Sequence, residues 1–226
     1  MPMVGRKVGL LMAIVSADWP IPIDETLLEG LAIRLEGLRD SHTQELATIA
    51  QDADIWRYLT SYGGSPKAIK QYLEDARQDH LAGSALPFVI RTLSDGRLIG
   101  MTRLKQMSRQ NRRAIVGSWL MPAAWGTGAN TESKFLLLEY AFERLHCIRI
   151  EFHADSRNIR SREALTRMGA MEEGTLRSDL ITREGHRRDT VIFSVLDREW
   201  PVVKSKLLER LRMQMQKIQP NMKDER

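Results

Sequence analysis

The chain has 226 residues, 42% of them hydrophobic, which is enough to bury one full core, and no segment is long or polar enough to demand a second. A single cysteine excludes an internal disulfide framework, and the five histidines (His42, His80, His146, His153 and His186) are scattered, so no metal site is expected. A net charge of +5 and a pI near 9.5 suit a soluble surface beside an acidic ligand and disfavour a polycationic one.

Near the start, Arg6-Lys7 and an apolar run over 8–15 have the outline of a short signal peptide, but the run falls far below the ~20 residues of a membrane span. Residues 1–30 therefore read as an N-terminal extension, an extra strand or a docking arm. The sheet is expected to begin at 31–35, and residues 40–52 read as a helix. Ile55 to Thr60 lead through Gly63-Gly64-Ser65-Pro66 into a second helix over about 67–82. Strands at 88–90 and 97–100 flank Ser94-Asp95-Gly96, a hairpin signal. Residues 115–121 form a buried strand closed by Pro122, with Gly117 suited to a bulge.

Beyond Pro122 the chain reads Ala123-Ala124-Trp125-Gly126-Thr127-Gly128-Ala129-Asn130-Thr131-Glu132. Two glycines between a strand and a helix let the backbone come close to a ligand, and the first N–H groups of the helix face whatever lies before them. With the helix dipole they make an anion site, although a glycine pair alone also marks an ordinary turn. Phe135, Leu138, Phe142 and Leu145 recur at helical spacing, with Glu132 early, where the dipole favours an anion. Residues 147–154 then alternate as a half-buried strand. The loop is neither common nucleotide motif: a Walker loop needs Gly-Lys-Ser or Gly-Lys-Thr, and Thr131 stands where a dinucleotide fingerprint needs a third glycine.

A helix starts at Asn158 and stops at Gly169, and a hairpin joins 171–177 to 190–195 through Gly185-His186-Arg187-Arg188-Asp189. From Pro201 to about Lys217 helical patterning resumes, with Val203, Leu207, Leu208, Leu211 and Met215 on one side, a stripe that packs on its own domain or on a second subunit.

Pro122-Ala-Ala-Trp125-Gly126-Thr-Gly128 with Thr131-Glu132, the Asn158-x-x-Ser161 step, Met168-Gly169-Ala170, and Glu173-Gly174-Thr-Leu-Arg177 with Asp189 together resemble the GNAT superfamily of acyl-CoA-dependent N-acetyltransferases. Within it the RimJ/RimL branch is the nearest in pattern. The resemblance covers roughly 31–200, taken as the acetyltransferase domain, with 201–226 as a C-terminal helix and tail. It implies an α/β (α+β) fold: a mixed, mostly antiparallel sheet of about seven strands, flanked by helices, with splayed central strands. It also implies acetyl-CoA as cosubstrate and no metal. The loop Trp125, Gly126, Thr127, Gly128, Ala129, Asn130 and Thr131 would hold the pyrophosphate, with Trp125 at the position usual for the branch. The pantetheine arm would lie in the splay like an added strand, near Asn158. Asn130 departs from the family's glycine or alanine, and its side chain either crowds the pyrophosphate or donates to it.

The resemblance places the Ser161 hydroxyl facing the cofactor sulfur, the candidate to protonate the departing thiolate; its other reading is a local bond to backbone. Asn158 is equally a plain helix cap. Backbone donors for the oxyanion are expected where the strand ends, at Leu120-Met121. The family's glutamate base is missing, since Ile115 holds its position. Glu132, Glu151, His153 and Asp179 are the remaining candidates, each with a structural role as the alternative. Cys147 reads as a packed thiol rather than a nucleophile. Trp56, Arg57 and Tyr58 are expected to face the acceptor, or else to complete the core. An α-amine is neutral in roughly one molecule in ten at pH 7, against about four in ten thousand for lysine, so a missing base favours an α-amine acceptor. The expected function is acetylation of a protein or peptide N-terminus in the cytoplasm, by a homodimer if the C-terminal stripe pairs. Small-amine acetylation and a CoA-binding regulator without catalysis are the alternatives. No nucleic-acid motif or membrane partner is indicated.

Overall fold

The computed structural model describes residues 26–218, and the apolar run near the start lies outside them. Eight strands form one sheet in the order β1-β2-β3-β4-β5-β6-β8-β7. They are β1 (Leu27–Glu29), β2 (Ile33–Gly37), β3 (Leu86–Thr92), β4 (Leu98–Ser108), β5 (Arg113–Leu120), β6 (Arg149–Asp155), β7 (Met171–Ile181) and β8 (Arg187–Leu196). All neighbours run antiparallel except β5 and β6. The strand β1, ahead of the expected start, takes the count to eight.

Six α-helices flank the sheet: α1 (Thr43–Ile49), α2 (Ala53–Trp56), α3 (Pro66–Leu81), α4 (Ala129–Glu139), α5 (Ile159–Met168) and α6 (Trp200–Ile218). Ser65 starts α3 by accepting the Ala68 N–H at 3.2 Å, and Pro66 needs no partner at the first helical position. The single helix expected over 40–52 is instead a 3-10 turn at Asp40–His42 followed by α1, which stops at Ile49, and Asp52 caps the separate α2.

Side-chain alternation assigns the two faces. Leu46, Ile55, Trp56, Ile69 and Leu73 of α1–α3 pack with Val89, Met101 and Trp119. Leu137, Leu165, Met168, Val203 and Leu207 of α4–α6 pack on Leu35, Phe88, Leu104, Val116, Phe152 and Phe193. The C-terminal stripe is thus spent within the chain. Trp200 stacks on Phe142 at 5.4 Å, and Val203, Leu207 and Leu211 are buried.

Two local readings are corrected. Gly117 pairs regularly with Arg103, and the bulge falls instead between Lys105 and Ser108, where Gln106 takes a positive φ. Glu132 is buried and turned away from the glycine loop. Its carboxylate accepts the N–H groups of Leu31 and Ala32, the latter at 3.0 Å, and so fastens the turn between β1 and β2 to α4. Glu132→Ala orphans both donors, for which about 1–3 kcal/mol is expected. At this chain length that is a fall of roughly 2–10 °C in Tm. A thermal melt checks it, and an unchanged Tm would mean the turn holds itself.

Candidate active site

The strands β5 and β6 pair only from Arg113↔Arg149 to Val116↔Phe152. Beyond that point β5 stays bonded to β4 as far as Leu120, and β6 to β8 as far as Asp155, so their facing edges part. The Met121 N–H bonds to the Ile99 carbonyl on β4 at 2.9 Å, and backbone alternation therefore turns the Ser118 and Leu120 N–H groups into the gap. Met121 offers no donor there, contrary to expectation, and Leu120 does. The Leu120 carbonyl is held by the Trp125 indole at 2.9 Å, which ties the strand end to the glycine loop.

In that loop Gly126 and Gly128 have φ of +79° and +97°, the left-handed region where a side chain is strained. Among the described residues the N–H groups of Gly126, Thr127 and Gly128 have no acceptor. Ala129 has a long contact to the Thr127 hydroxyl at 3.4 Å, and the Thr131 N–H returns to the Gly128 carbonyl at 2.9 Å. The open donors are thus narrower than the sequence suggested, and Thr131 supplies none. Three adjacent unbonded amides at a helix start fit a pyrophosphate.

The Asn130 side chain accepts from Lys134 one turn along α4, so its oxygen is directed along the helix. Burial brings Lys134 down to about 8. Packed over the loop is a residue no local motif announces: a Cβ added to Gly128 would stand 2.5 Å from Oε1 of Gln214, near the end of α6.

Asn158 caps α5 by accepting the Ser161 N–H at 3.1 Å. The Ser161 hydroxyl makes no hydrogen bond among the described residues and is only half buried. Beside this cap a cavity of about 370 Å³ is lined by Asp54, Arg57, Tyr58, Trp125, Arg157, Asn158, Ile159 and Arg160. It brings two expected cofactor residues, Trp125 and Asn158, against two expected acceptor-facing ones, Arg57 and Tyr58. Ser161 is not in its lining. Trp56 is not either: it is core, with its indole bonded to the Ala50 carbonyl at 2.7 Å and packed on Tyr72 and Trp119.

Arginines fix the cavity wall. The Arg160 guanidinium stacks 3.4 Å from the centre of the Trp125 ring, and Arg157 lies 5.7 Å from that of Tyr58. Arg157 is held by the buried Asp155 carboxylate at 2.8 and 3.0 Å. Burial would raise the Asp155 pKa, but the Arg157 hydrogen bonds outweigh it and lower it.

No carboxylate stands at Ile115, which is buried and opposite Glu151 in the parallel register. Glu151 is bonded to Arg149 at 2.9 Å and to His153 at 3.1 Å. Burial alone would raise its pKa, yet these partners lower it, which leaves a weak base. Asp179 is exposed on β7. Burial pushes the Cys147 thiol up to about 11, so it is a packed group and no nucleophile. Among the described residues no cluster is able to hold a metal ion, and no helix is long and apolar enough to cross a membrane.

The acetyltransferase (GNAT) domain family matches residues 32–171. A Bacillus subtilis protein provisionally named ribosomal N-acetyltransferase YdaF is 38% identical over 108 residues, 48% of this chain and 58% of its own length. A GCN5-related N-acetyltransferase from Brucella melitensis superposes with a TM-score of 0.74 at 28% identity, over 85% of this chain and 89% of its own. Mycobacterium smegmatis RimJ, solved with CoA-disulfide, shares the fold with a TM-score of 0.70 at 23% identity, over 82% of this chain and 92% of its own. The chain belongs to the GNAT family of N-acetyltransferases, a family that uses acetyl-CoA.

Proposed function

We propose that this protein transfers the acetyl group of acetyl-CoA to an α-amine, in the first place the N-terminus of a protein or peptide. The observation that carries the reading is the parting of β5 and β6 beneath three unbonded loop amides, beside a cavity that joins Trp125 and Asn158 to Arg57 and Tyr58. Acetyl-CoA supplies the activated acyl group when bound. The amides of Gly126, Thr127 and Gly128 hold its phosphates, the open edges of β5 and β6 take its arm, and Trp125, Ala129 and Asn158 flank it. The Leu120 N–H faces the place where negative charge develops on the carbonyl oxygen. The Ser161 hydroxyl, uncommitted among the described residues, gives the proton to the departing sulfur.

The acceptor class follows from what the site lacks. With Ile115 in place of a carboxylate and Glu151 committed to Arg149 and His153, the chain relies on an amine already partly neutral. The ribosomal name of the YdaF relative agrees with a protein acceptor. A small amino compound is the alternative. A cytoplasmic setting follows from the cosubstrate. The homodimer loses its support from α6, and β7 is the better surface for it: an edge strand with Met171, Leu176 and Ile181 exposed.

Matched peptides test the acceptor, one with only a free N-terminus and one blocked there but carrying lysine. At pH 7 the free N-terminus is expected to be acetylated faster, with a rate that levels as pH passes ~7.7–8.0, the α-amine range. Equal or faster acetylation of the lysine peptide overturns the assignment.

A further inference from the structure

The face of the sheet under α1–α3 carries two cations, Arg188 and Lys105, that make no ion pair among the described residues; Asp155 and Asp179 act on the first, and Asp79 on the second, only from a distance. Arg188 of β8 is 3% exposed, its Nε has no hydrogen-bond partner, and its one bond runs from Nη1 to the Tyr58 carbonyl at 3.4 Å. No carboxylate lies within 4 Å of it among the described residues. Asp155, the nearest acid by sheet register, is already committed to Arg157 through both oxygens and the backbone. Lys105 of β4 makes no ion pair or hydrogen bond among the described residues. Its stem runs past Gly117, where an added Cβ would meet Cε at 3.6 Å, so the missing side chain leaves it room to lie over the start of the gap. Burial and the positive fields of Arg103 and Arg188 lower its pKa against the opposing field of Asp79, so its amine lies within electrostatic reach of both guanidiniums. Arg103, by contrast, has Asp79 and the Tyr72 ring as partners. Beside Arg188 on the same face, the buried Thr190 hydroxyl also has no partner.

A buried guanidinium such as that of Arg188, left without a counter-ion in contact, is costly to hold, and a fold keeps such a group where a ligand completes it. The phosphates of the cosubstrate are not that ligand. They belong at the start of α4, on the opposite face of the sheet, whereas Lys105, Arg188 and Thr190 lie on the α1–α3 side, where Arg188 is bonded to the carbonyl of Tyr58, a residue of the cavity wall. We infer that Arg188, Lys105 and Thr190 form a recognition site for a carboxylate carried by the acceptor within a few bonds of its amine. Resting on the α-amine reading above, this specifies a chain that begins with aspartate or glutamate. The same two positive charges disfavour the protonated form of an ammonium placed beside them, and so help to bare the attacking amine without a dedicated base.

The test uses the full chain with acetyl-CoA and peptides differing only in a first residue of Asp, Asn, Glu or Gln, together with free aspartate and asparagine. The expected kcat/KM favours each acid over its amide at least tenfold. Arg188→Gln and Lys105→Met bring that ratio toward one, chiefly through the KM of the acceptor, while calorimetric acetyl-CoA affinity stays within twofold. Arg188→Lys, which keeps the charge, retains part of the preference and guards against a folding artefact. Equal rates on acid and amide in the parent protein overturn the inference. So does a ratio that survives in both neutral variants, or a loss of acetyl-CoA affinity that accounts for the lost rate. If only the free amino acids react, with the acid preferred through Arg188, this site stands and the peptide reading falls. If peptides react regardless of first-residue charge, the peptide reading stands and this site falls.

Discussion

Ser161→Ala is expected to lower kcat by ~10²–10⁴-fold, the usual worth of a positioned general acid, with a much smaller change in the KM for acetyl-CoA. The structural basis is a division of labour within one residue. The Ser161 backbone N–H is bonded to Asn158 Oδ1 at 3.1 Å, and this keeps the first turn of α5 intact whatever side chain the residue carries. The hydroxyl has no partner among the described residues, so removing it orphans none of them and leaves the stability close to that of the parent. Asn158→Ala is the contrasting variant, because it removes the cap, at about 0.5–2 kcal/mol, as well as any contact to the cosubstrate. Steady-state kinetics beside a thermal melt separates the two. A Ser161→Ala protein at full rate and unchanged Tm would return the hydroxyl to an idle surface role and send the search for the acid to the residues that line the cavity.

What the sequence displays well is whatever is decided within a few residues. The left-handed glycines of the loop, the Asn158 cap, the stop at Gly169 and the Ser94-Asp95-Gly96 hairpin are set by local backbone rules, and each falls where its residues place it. Residues whose partners are distant are misread for the same reason. Glu132 looks like a helix-start anion but bonds to Leu31 and Ala32, a hundred positions earlier. Arg188 sits in a run with Arg187, which reads as a solvated surface. Alternation along β8, where Val191, Phe193 and Val195 face the core, fixes which face Arg188 and Thr190 share, but not that this face is covered over there. Trp56 and Tyr58 are two residues apart, and the sequence gives no way to see that one completes the core while the other walls the cavity. The same limit hides Gln214, and that residue bears on how the glycine loop must be tested.

Gly128→Ala is expected to weaken acetyl-CoA binding tenfold or more, ~1.4 kcal/mol at the least. Two causes contribute. A φ of +97° strains any residue with a Cβ, and the methyl stands where the backbone must approach a phosphate. The single variant is ambiguous, because the new methyl would also meet the Gln214 carboxamide at 2.5 Å and push on the end of α6. A double-mutant cycle removes the ambiguity. Gln214→Ala alone clears the space without touching the loop amides, and its acetyl-CoA affinity is expected to remain within about threefold of the parent. Gly128→Ala with Gln214→Ala has room for the methyl on the α6 side, yet still presents it to the phosphate. Calorimetry should therefore show the double variant nearly as weak as Gly128→Ala. Affinity restored in the double variant would mean that Gly128 is small in order to admit Gln214, and that the pyrophosphate is held elsewhere.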